Sequence, residues 1–498
     1  MLSKKAAYRL YRILEIIPGA LVWATFAIAL VLSFVNPLFV IAFIIIFDAL
    51  WLSRITYLLV HLLTSFRKFR RESRKDWLSL AEKQTGFGEI LHLIFLPTFK
   101  EPIEVVRQTL QGLTQINYPV NRLFVVLCGE ERDEANFLGV ARQMEAEFGQ
   151  TFFRFFVSVH PKDVPGEVAG KGANIAYAGR QVQKQIDELG LAYEKILVSS
   201  FDIDTVVHPQ YFACLTYHFL TVPDPQHASY QPLALYNNNV WDSPFLMRVV
   251  AMSTTFWLMT EQMRPERLFT FSSHSMPFKA LVEVGFWQSD IVTEDSRIFV
   301  QGLIEYDGNY RVVPLFIPLS MDTVMSQTLK QSIANQYKQQ RRWAYGVENF
   351  PFMAWNFWGN KNIPFLKKFR YIFNQLEGIY SWATAPILIF VLGRLPIAVA
   401  NARNLTSAII QNTPHILSIM MTISMIGLVA SAFISLTLLP PKPSHVPRWQ
   451  WVVMFAQWIV FPVTMIAFGS IPATDAVTRL MLGKYLGFNV TEKFRRKF

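Results

Sequence analysis

Apolar positions crowd the two ends of this chain and thin out in its middle. Residues 16–35 pass without a charge, a run that can cross a bilayer core as a helix of about 20 residues. Asn36-Pro37 makes a tight break, and a second apolar run, residues 38–59, is interrupted by Asp48 and Arg54. A signal peptide does not fit the first run, which is too long for one and is followed at once by a second span. After Trp343 the apolar stretches return. Residues 350–358 (FPFMAWNFW) read as a short aromatic helix lying in the membrane interface, and spans are expected near residues 371–392, 415–438 and 451–471. Five spans would put the termini on opposite sides, yet the tail FNVTEKFRRKF is as basic as the N-terminus. One segment is therefore expected to be re-entrant or split, with Pro462 the suspect, and the count stays at five or six.

The middle of the chain carries a different pattern. Short β-rich runs at 92–96 (HLIFL), 122–127 (RLFVVL), 152–159 and 195–199 (KILVS) alternate with helical stretches starting near Pro102, Glu131 and Gly172. Such alternation predicts an α/β domain with a parallel sheet and helices on both faces. Ligands of open sheets bind beyond the carboxyl ends of the strands, which singles out the loops after Leu96, Leu127, Val159 and Ser200. The expected organisation is a transmembrane hairpin over 1–65, a soluble domain over 80–345, interfacial helices over 346–370 and a transmembrane region over 371–498.

Composition agrees. The chain is 52% hydrophobic and 17% charged, against about 25% charged for a soluble domain, which excludes disorder and a fibrous repeat. Lys and Arg exceed Asp and Glu by 11. The basic residues cluster before the first span and just after the second, at Arg67, Lys68, Arg70, Arg71, Arg74 and Lys75. By the positive-inside rule the N-terminus and everything after residue 66 face the cytoplasm, in a plasma or inner membrane. Beside membrane spans these clusters are assigned to anionic lipid headgroups of the bilayer, with no nucleic acid as partner. Two cysteines, Cys128 and Cys214, cannot build a disulfide framework or a zinc site. Asp48 is read as pairing with Arg54 to orient its helix.

Chemistry enters with the strand-end loops. Thr98-Phe99-Lys100-Glu101 follows the first strand, and Gly170-Lys171-Gly172-Ala173-Asn174 lies between the third strand and its helix. Asp202-Ile203-Asp204 follows the fourth; two acids one residue apart can share a hard divalent cation, Mg2+ or Mn2+, that bridges to a diphosphate. Downstream come residues 269–279 (FTFSSHSMPFK), then Thr293-Glu294-Asp295, then Gln339-Gln340-Arg341-Arg342-Trp343.

In this order, between two membrane blocks, these elements resemble a membrane-embedded family 2 glycosyltransferase, the group that includes cellulose, chitin and hyaluronan synthases. The resemblance implies a GT-A nucleotide-sugar-binding α/β domain in the cytosol, flanked by N- and C-terminal transmembrane helices. It implies inverting, metal-dependent transfer of a hexose from a nucleotide-diphosphate sugar, a UDP-sugar first, to a glycan acceptor, with processive polysaccharide synthesis as its fullest form. Carried over residue by residue, Asp202 and Asp204 hold the metal and donor, and Glu101, Lys171 and Arg342 bind the donor. Asp295 is the base, and Gln339 and Trp343 hold the acceptor. One departure stands out: where the family shows an aspartate for the nucleotide base, this chain has Cys128-Gly129-Glu130-Glu131. Two other readings stay open, transfer of a single sugar to a lipid acceptor and, less favoured, a transporter or channel with a nucleotide-sugar-binding regulatory domain.

Overall fold

The computed structural model describes residues 3–488, so the tail beyond Phe488, and its bearing on the side of the C-terminus, lies outside the described residues. Eight strands form one mixed sheet: β1 (Leu91–Pro97), β2 (Leu123–Glu130), β3 (Arg154–His160), β4 (Ile196–Ser200), β5 (Val206–Val207), β6 (Ala228–Tyr236), β7 (His274–Pro277) and β8 (Arg311–Met321). Their spatial order is β3-β2-β1-β4-β7-β6-β8-β5. The first four strands run parallel, as the alternating pattern predicts, and β7 joins β4 antiparallel.

Period-two alternation splits each central strand between two cores. Ile94 and Leu96 of β1 pack with Val125 and Leu127 of β2 on one face, while Leu93 and Phe95 pack with Phe124, Val126 and Cys128 on the other. Helices Ile103–Thr114, Glu134–Phe148 and Tyr211–Thr221 cover the first face. Helices Lys171–Glu188, Glu294–Glu305 and Asn349–Gly359 cover the second. Burial on both faces is why these strands read as unbroken apolar runs. β2 continues three residues past its expected end, through Cys128, Gly129 and Glu130. Gly129 is required there, because a Cβ would sit 2.2 Å from the ring of Phe137.

Among the described residues four helices are long and apolar enough to cross a membrane: Lys4–Val35, Pro37–Glu72, Ala408–Thr437 and Gln450–Met481. Phe365–Phe390 and Leu392–Ala402, bent by 42°, make a fifth if they count as one span. The first break is one residue long because the Asn36 side chain accepts the Phe39 N–H and Pro37 needs no amide partner at a helix start. Large apolar side chains face outward along these helices, among them Val35 (70% exposed) and Ile459 (79%), a surface suited to lipid.

Three expectations are corrected. The sharp bend falls at Val391, whereas Pro462 opens the segment Phe461–Met465 inside a last run that continues to Met481. Arg54 pairs with Glu377 and hydrogen-bonds Ser381, both on Phe365–Phe390, not with Asp48; the carboxylate Oδ1 of Asp48 is buried with no hydrogen-bond partner among the described residues. A hydrophobic span therefore concealed a long-range ion pair, since sequence distance says nothing about which helices touch. Residues 350–358 fall in Asn349–Gly359, whose Phe350, Met353 and Phe357 are buried, the last two in the core beneath the sheet. The outward aromatics are instead Trp358 and the stacked row Phe365, Phe369 and Phe373.

Breaking one partner of an intramembrane ion pair leaves the other uncompensated. Arg54→Leu should therefore lower the melting temperature in detergent more than the double variant Arg54→Leu/Glu377→Gln does. A double-mutant cycle should give a coupling of about 1–3 kcal/mol.

Candidate active site

The segments after β3 and β4 and the start of the Glu294–Glu305 helix meet at one buried lysine. Gly172 lets the Lys171–Glu188 helix start against the Thr293-Glu294-Asp295 segment: a Cβ there would lie 3.1 Å from the Glu294 side chain and from the Gln288 carbonyl. Lys171, only 8% exposed, then directs its Nζ to Asp202 Oδ1 at 2.8 Å and to the two Asp295 carboxylate oxygens at 2.9 and 3.1 Å. Burial works against its ammonium, but the charges of Asp202, Asp295 and Glu294 together outweigh that and raise its pKa. Ser272 Oγ donates to the other oxygen of Asp202 at 2.6 Å.

Asp204 is almost fully buried, and its Oδ2 accepts the Asp322 N–H at 2.8 Å, tying the fourth-strand loop to the end of β8. Tyr236, at the end of β6, is the common neighbour: burial first, then the charges of Asp202, Asp204 and Asp295, push its hydroxyl pKa up. Arg342 acts on the same hydroxyl in the opposite sense.

The helix bearing the Gln-Arg-Trp cluster, Leu329–Ala344, is launched by a capping box in which Thr328 and Gln331 satisfy each other's backbone amides. Its two arginines have different fates. Arg341 donates to Asp475 at 2.9 Å, which also accepts from Tyr337 and Arg479. Arg342 makes no hydrogen bond or ion pair with a described residue and rests on the ring of Phe488 at 4.6 Å, leaving a guanidinium fork for phosphate oxygens. Trp343 lies 5.8 Å from the ring of Tyr236, and with Gln339 the two line a small cavity closed by Val250, Ala251 and Thr254.

Glu101 faces inward. Its carboxylate accepts the Thr98 hydroxyl at 2.8 Å and the Phe99 N–H, so it braces the loop after β1. Glu130, at the departing position, is 3% exposed and paired with Arg132, whose guanidinium stacks 4.7 Å from the ring of Phe99.

Sequence reasoning did not single out four residues here. Glu294 is buried with neither carboxylate oxygen hydrogen-bonded by a described residue, and burial, reinforced by Asp295, raises its pKa well above the usual carboxylate range. His274 lies with its Nδ1 3.0 Å from the Phe271 carbonyl and 3.9 Å from Asp295. Burial lowers its pKa, so it is a neutral imidazole with the proton on Nδ1. Ser272 and His274 both belong to the FTFSSHSMPFK segment, whose polar density amid apolar neighbours was the available signal; Tyr236 carried none.

Among the described residues no group of three or more His, Cys, Asp or Glu side chains forms a metal cage. A cation of the Mg2+ class does not need one, since one or two carboxylates and substrate phosphates suffice. Asp202, its side chain 31% exposed, and Asp204 beside it have the hard-oxygen chemistry for that mode.

Glu294 predicts a pH effect on stability. A carboxyl whose folded pKa is raised contributes most below its unfolded value, near 4.3, and loses that contribution as pH rises through the folded value. In metal-free buffer the melting temperature of the wild type should fall relative to Glu294→Gln as pH is raised above about 4.3. Parallel pH profiles would reject the assignment.

Comparison with known proteins places this geometry. Residues 197–471 match the model of a family described as glycosyl transferase family group 2. No curated protein matches the chain. Similar solved structures include a mannosyltransferase, PcManGT, from Pyrobaculum calidifontis in complex with GDP-Man and Mn2+, at 14% identity and a TM-score of 0.44, covering 84% of this chain and 98% of that one. Others are residues 1–349 of S. aureus TarS with UDP-GlcNAc, at 10% identity and a TM-score of 0.35 over 80% and 93% of the two chains, and glucosyl-3-phosphoglycerate synthase from Mycobacterium tuberculosis, at 12% identity and a TM-score of 0.29 over 58% and 82%.

Proposed function

The chain belongs to glycosyl transferase family group 2, and from that premise we propose that it transfers a hexose, with inversion, from a nucleotide-diphosphate sugar, a UDP-sugar first, to a glycan acceptor at the cytoplasmic face of a membrane. The observation that carries the proposal is Lys171 held between Asp202 and Asp295, with the free guanidinium of Arg342 near the same acids.

In the proposed reaction Asp295 takes the proton of the acceptor hydroxyl. The acceptor oxygen bonds to the anomeric carbon as the bond from that carbon to the diphosphate oxygen breaks on the opposite face. The leaving group is already a good one, so no general acid is needed, in contrast to glycoside hydrolysis. Asp202 and Asp204 would hold Mg2+ or Mn2+, which when bound would neutralise charge on the diphosphate. Arg342 would hold the diphosphate through paired N–H bonds. Lys171 holds the Asp295 carboxylate in position through hydrogen bonds to both of its oxygens. Trp343 offers an aromatic face and Gln339 an amide to the acceptor sugar. Glu101 acts on the donor through its loop, by holding Thr98 and Phe99 in place. Repeated addition, giving a polysaccharide, is the form we propose, because the Trp343 cavity abuts helix Phe245–Gln262, which packs against the last membrane helix.

Asp295→Asn should cut nucleoside diphosphate release by about 10²–10⁴-fold while leaving donor affinity nearly unchanged. Unchanged turnover would reject Asp295 as base. Asp202→Asn should weaken donor binding, and EDTA should reproduce that loss in the wild type; equal affinity with and without EDTA would reject the metal assignment. Sizing the product made from labelled donor tests the acceptor, and a single-sugar lipid would displace the polymer reading.

A further inference from the structure

Arg248 is a buried charge without a partner. It lies on helix Phe245–Gln262, is 4% exposed, and neither donates a hydrogen bond to nor forms an ion pair with any described residue. No carboxylate compensates it: burial alone acts on its pKa, lowering it to about 10. Such an arrangement is costly, because buried charges in proteins are normally paired. Arg264, just past the C-terminal end of the same helix and equally buried, shows the usual solution in its ion pair with Glu261.

Its surroundings say what it faces. Met247 and Val250, flanking it on the helix, pack with Val324 and with Phe468 of the π-helical segment Ile466–Ser470 in the last membrane helix. Single π turns inside helices recur at functional sites. Ala251, three residues on and hence on the same side of the helix, lines the cavity shared by Gln339, Trp343 and Tyr236. Arg248 thus sits one helical turn from the proposed acceptor subsite, where that subsite meets the irregular stretch of the last span.

We propose that Arg248 is an anion subsite for the acceptor glycan, pairing with a carboxylate carried by a sugar behind the residue at Trp343. This rests on the transferase reading and names the acceptor class, an acidic glycan. Position favours a glycan over a lipid headgroup: Arg248 is buried, and Ala251 on its side of the helix lines the cavity that holds Gln339 and Trp343.

The test is binding to the purified full chain, followed by tryptophan fluorescence. The probes are a hexauronate oligosaccharide and its carboxyl-reduced neutral counterpart, with undecaprenyl phosphate and undecaprenol as a second pair. The wild type should bind the hexauronate about tenfold more tightly than the neutral chain, a difference of about 1.4 kcal/mol. Arg248→Gln should lose that preference and Arg248→Lys keep part of it. Arg248→Met should melt no lower than the wild type, because removing an uncompensated buried charge does not destabilise; it gives a folded variant for the same assay. No charge preference in the wild type, a preference that survives Arg248→Gln, or one confined to undecaprenyl phosphate would each overturn the proposal. Nucleoside diphosphate release, measured in parallel, reports on the transferase reading separately.

Discussion

One buried ammonium organises the candidate site. Lys171 is taken out of water and therefore must be compensated. Asp202 comes from the end of β4 and Asp295 from the start of a helix 93 positions later. Their carboxylates converge on the same nitrogen from separate parts of the chain. Without that cation, two acids would be held near each other and beside the buried Glu294, an arrangement like charges resist. Gly172 serves this contact, since a larger residue there would press on Glu294, the neighbour of Asp295, whereas Gly170 makes room for the ring of Phe488. The cation thus assembles the two acids at one point.

Other polar contacts join the soluble domain to the membrane helices and those helices to one another. Asp475, in the last membrane helix, gathers Tyr337 and Arg341 from the helix that bears Gln339, Arg342 and Trp343. Arg12 of the first membrane helix donates to the carbonyls of Leu480 and Met481 at the end of that last helix. Arg54 ties the second membrane helix to Phe365–Phe390 through Glu377. Neighbouring basic residues are therefore not equivalent: Arg341 is committed to structure, and Arg342 is left for a ligand.

Much of this was legible in the residue pattern, and the reason is periodicity. The four parallel strands each stood within a few residues of their expected positions because β1 and β2 are apolar on both faces. The D-x-D pair, Asp295 and the Gln-Arg-Trp cluster were visible because their chemistry is local in sequence. What pattern could not supply was partnership across distance. Arg54 was matched to the nearest acid, Asp48, when its partner lies 323 residues away. Residues 350–358 looked interfacial by composition, yet a helix whose Met353 and Phe357 complete the second core shows no difference in composition from one that lies in lipid. Tyr236 and Glu294 were invisible for the same reason, since a tyrosine ending an apolar strand gains significance only from the acids that fold places around it.

The division of labour between sheet and membrane follows from where the charges sit. The proposed donor groups Lys171, Asp202 and Asp204 are fixed at strand ends, Lys171 by its pair with Asp202 and Asp204 by the backbone N–H of Asp322. The proposed acceptor groups, Gln339 and Trp343, share with the proposed diphosphate ligand Arg342 a helix fastened by Asp475 to a span that is helical in segments, with 3-10, α and π turns in succession. A site built wholly on the sheet would hold donor and acceptor in one rigid frame. Here the second half, Arg342 included, is referenced to the last membrane helix through the Arg341–Asp475 pair, so the packing of that helix sets where Arg342 and Trp343 stand relative to the acids around Lys171.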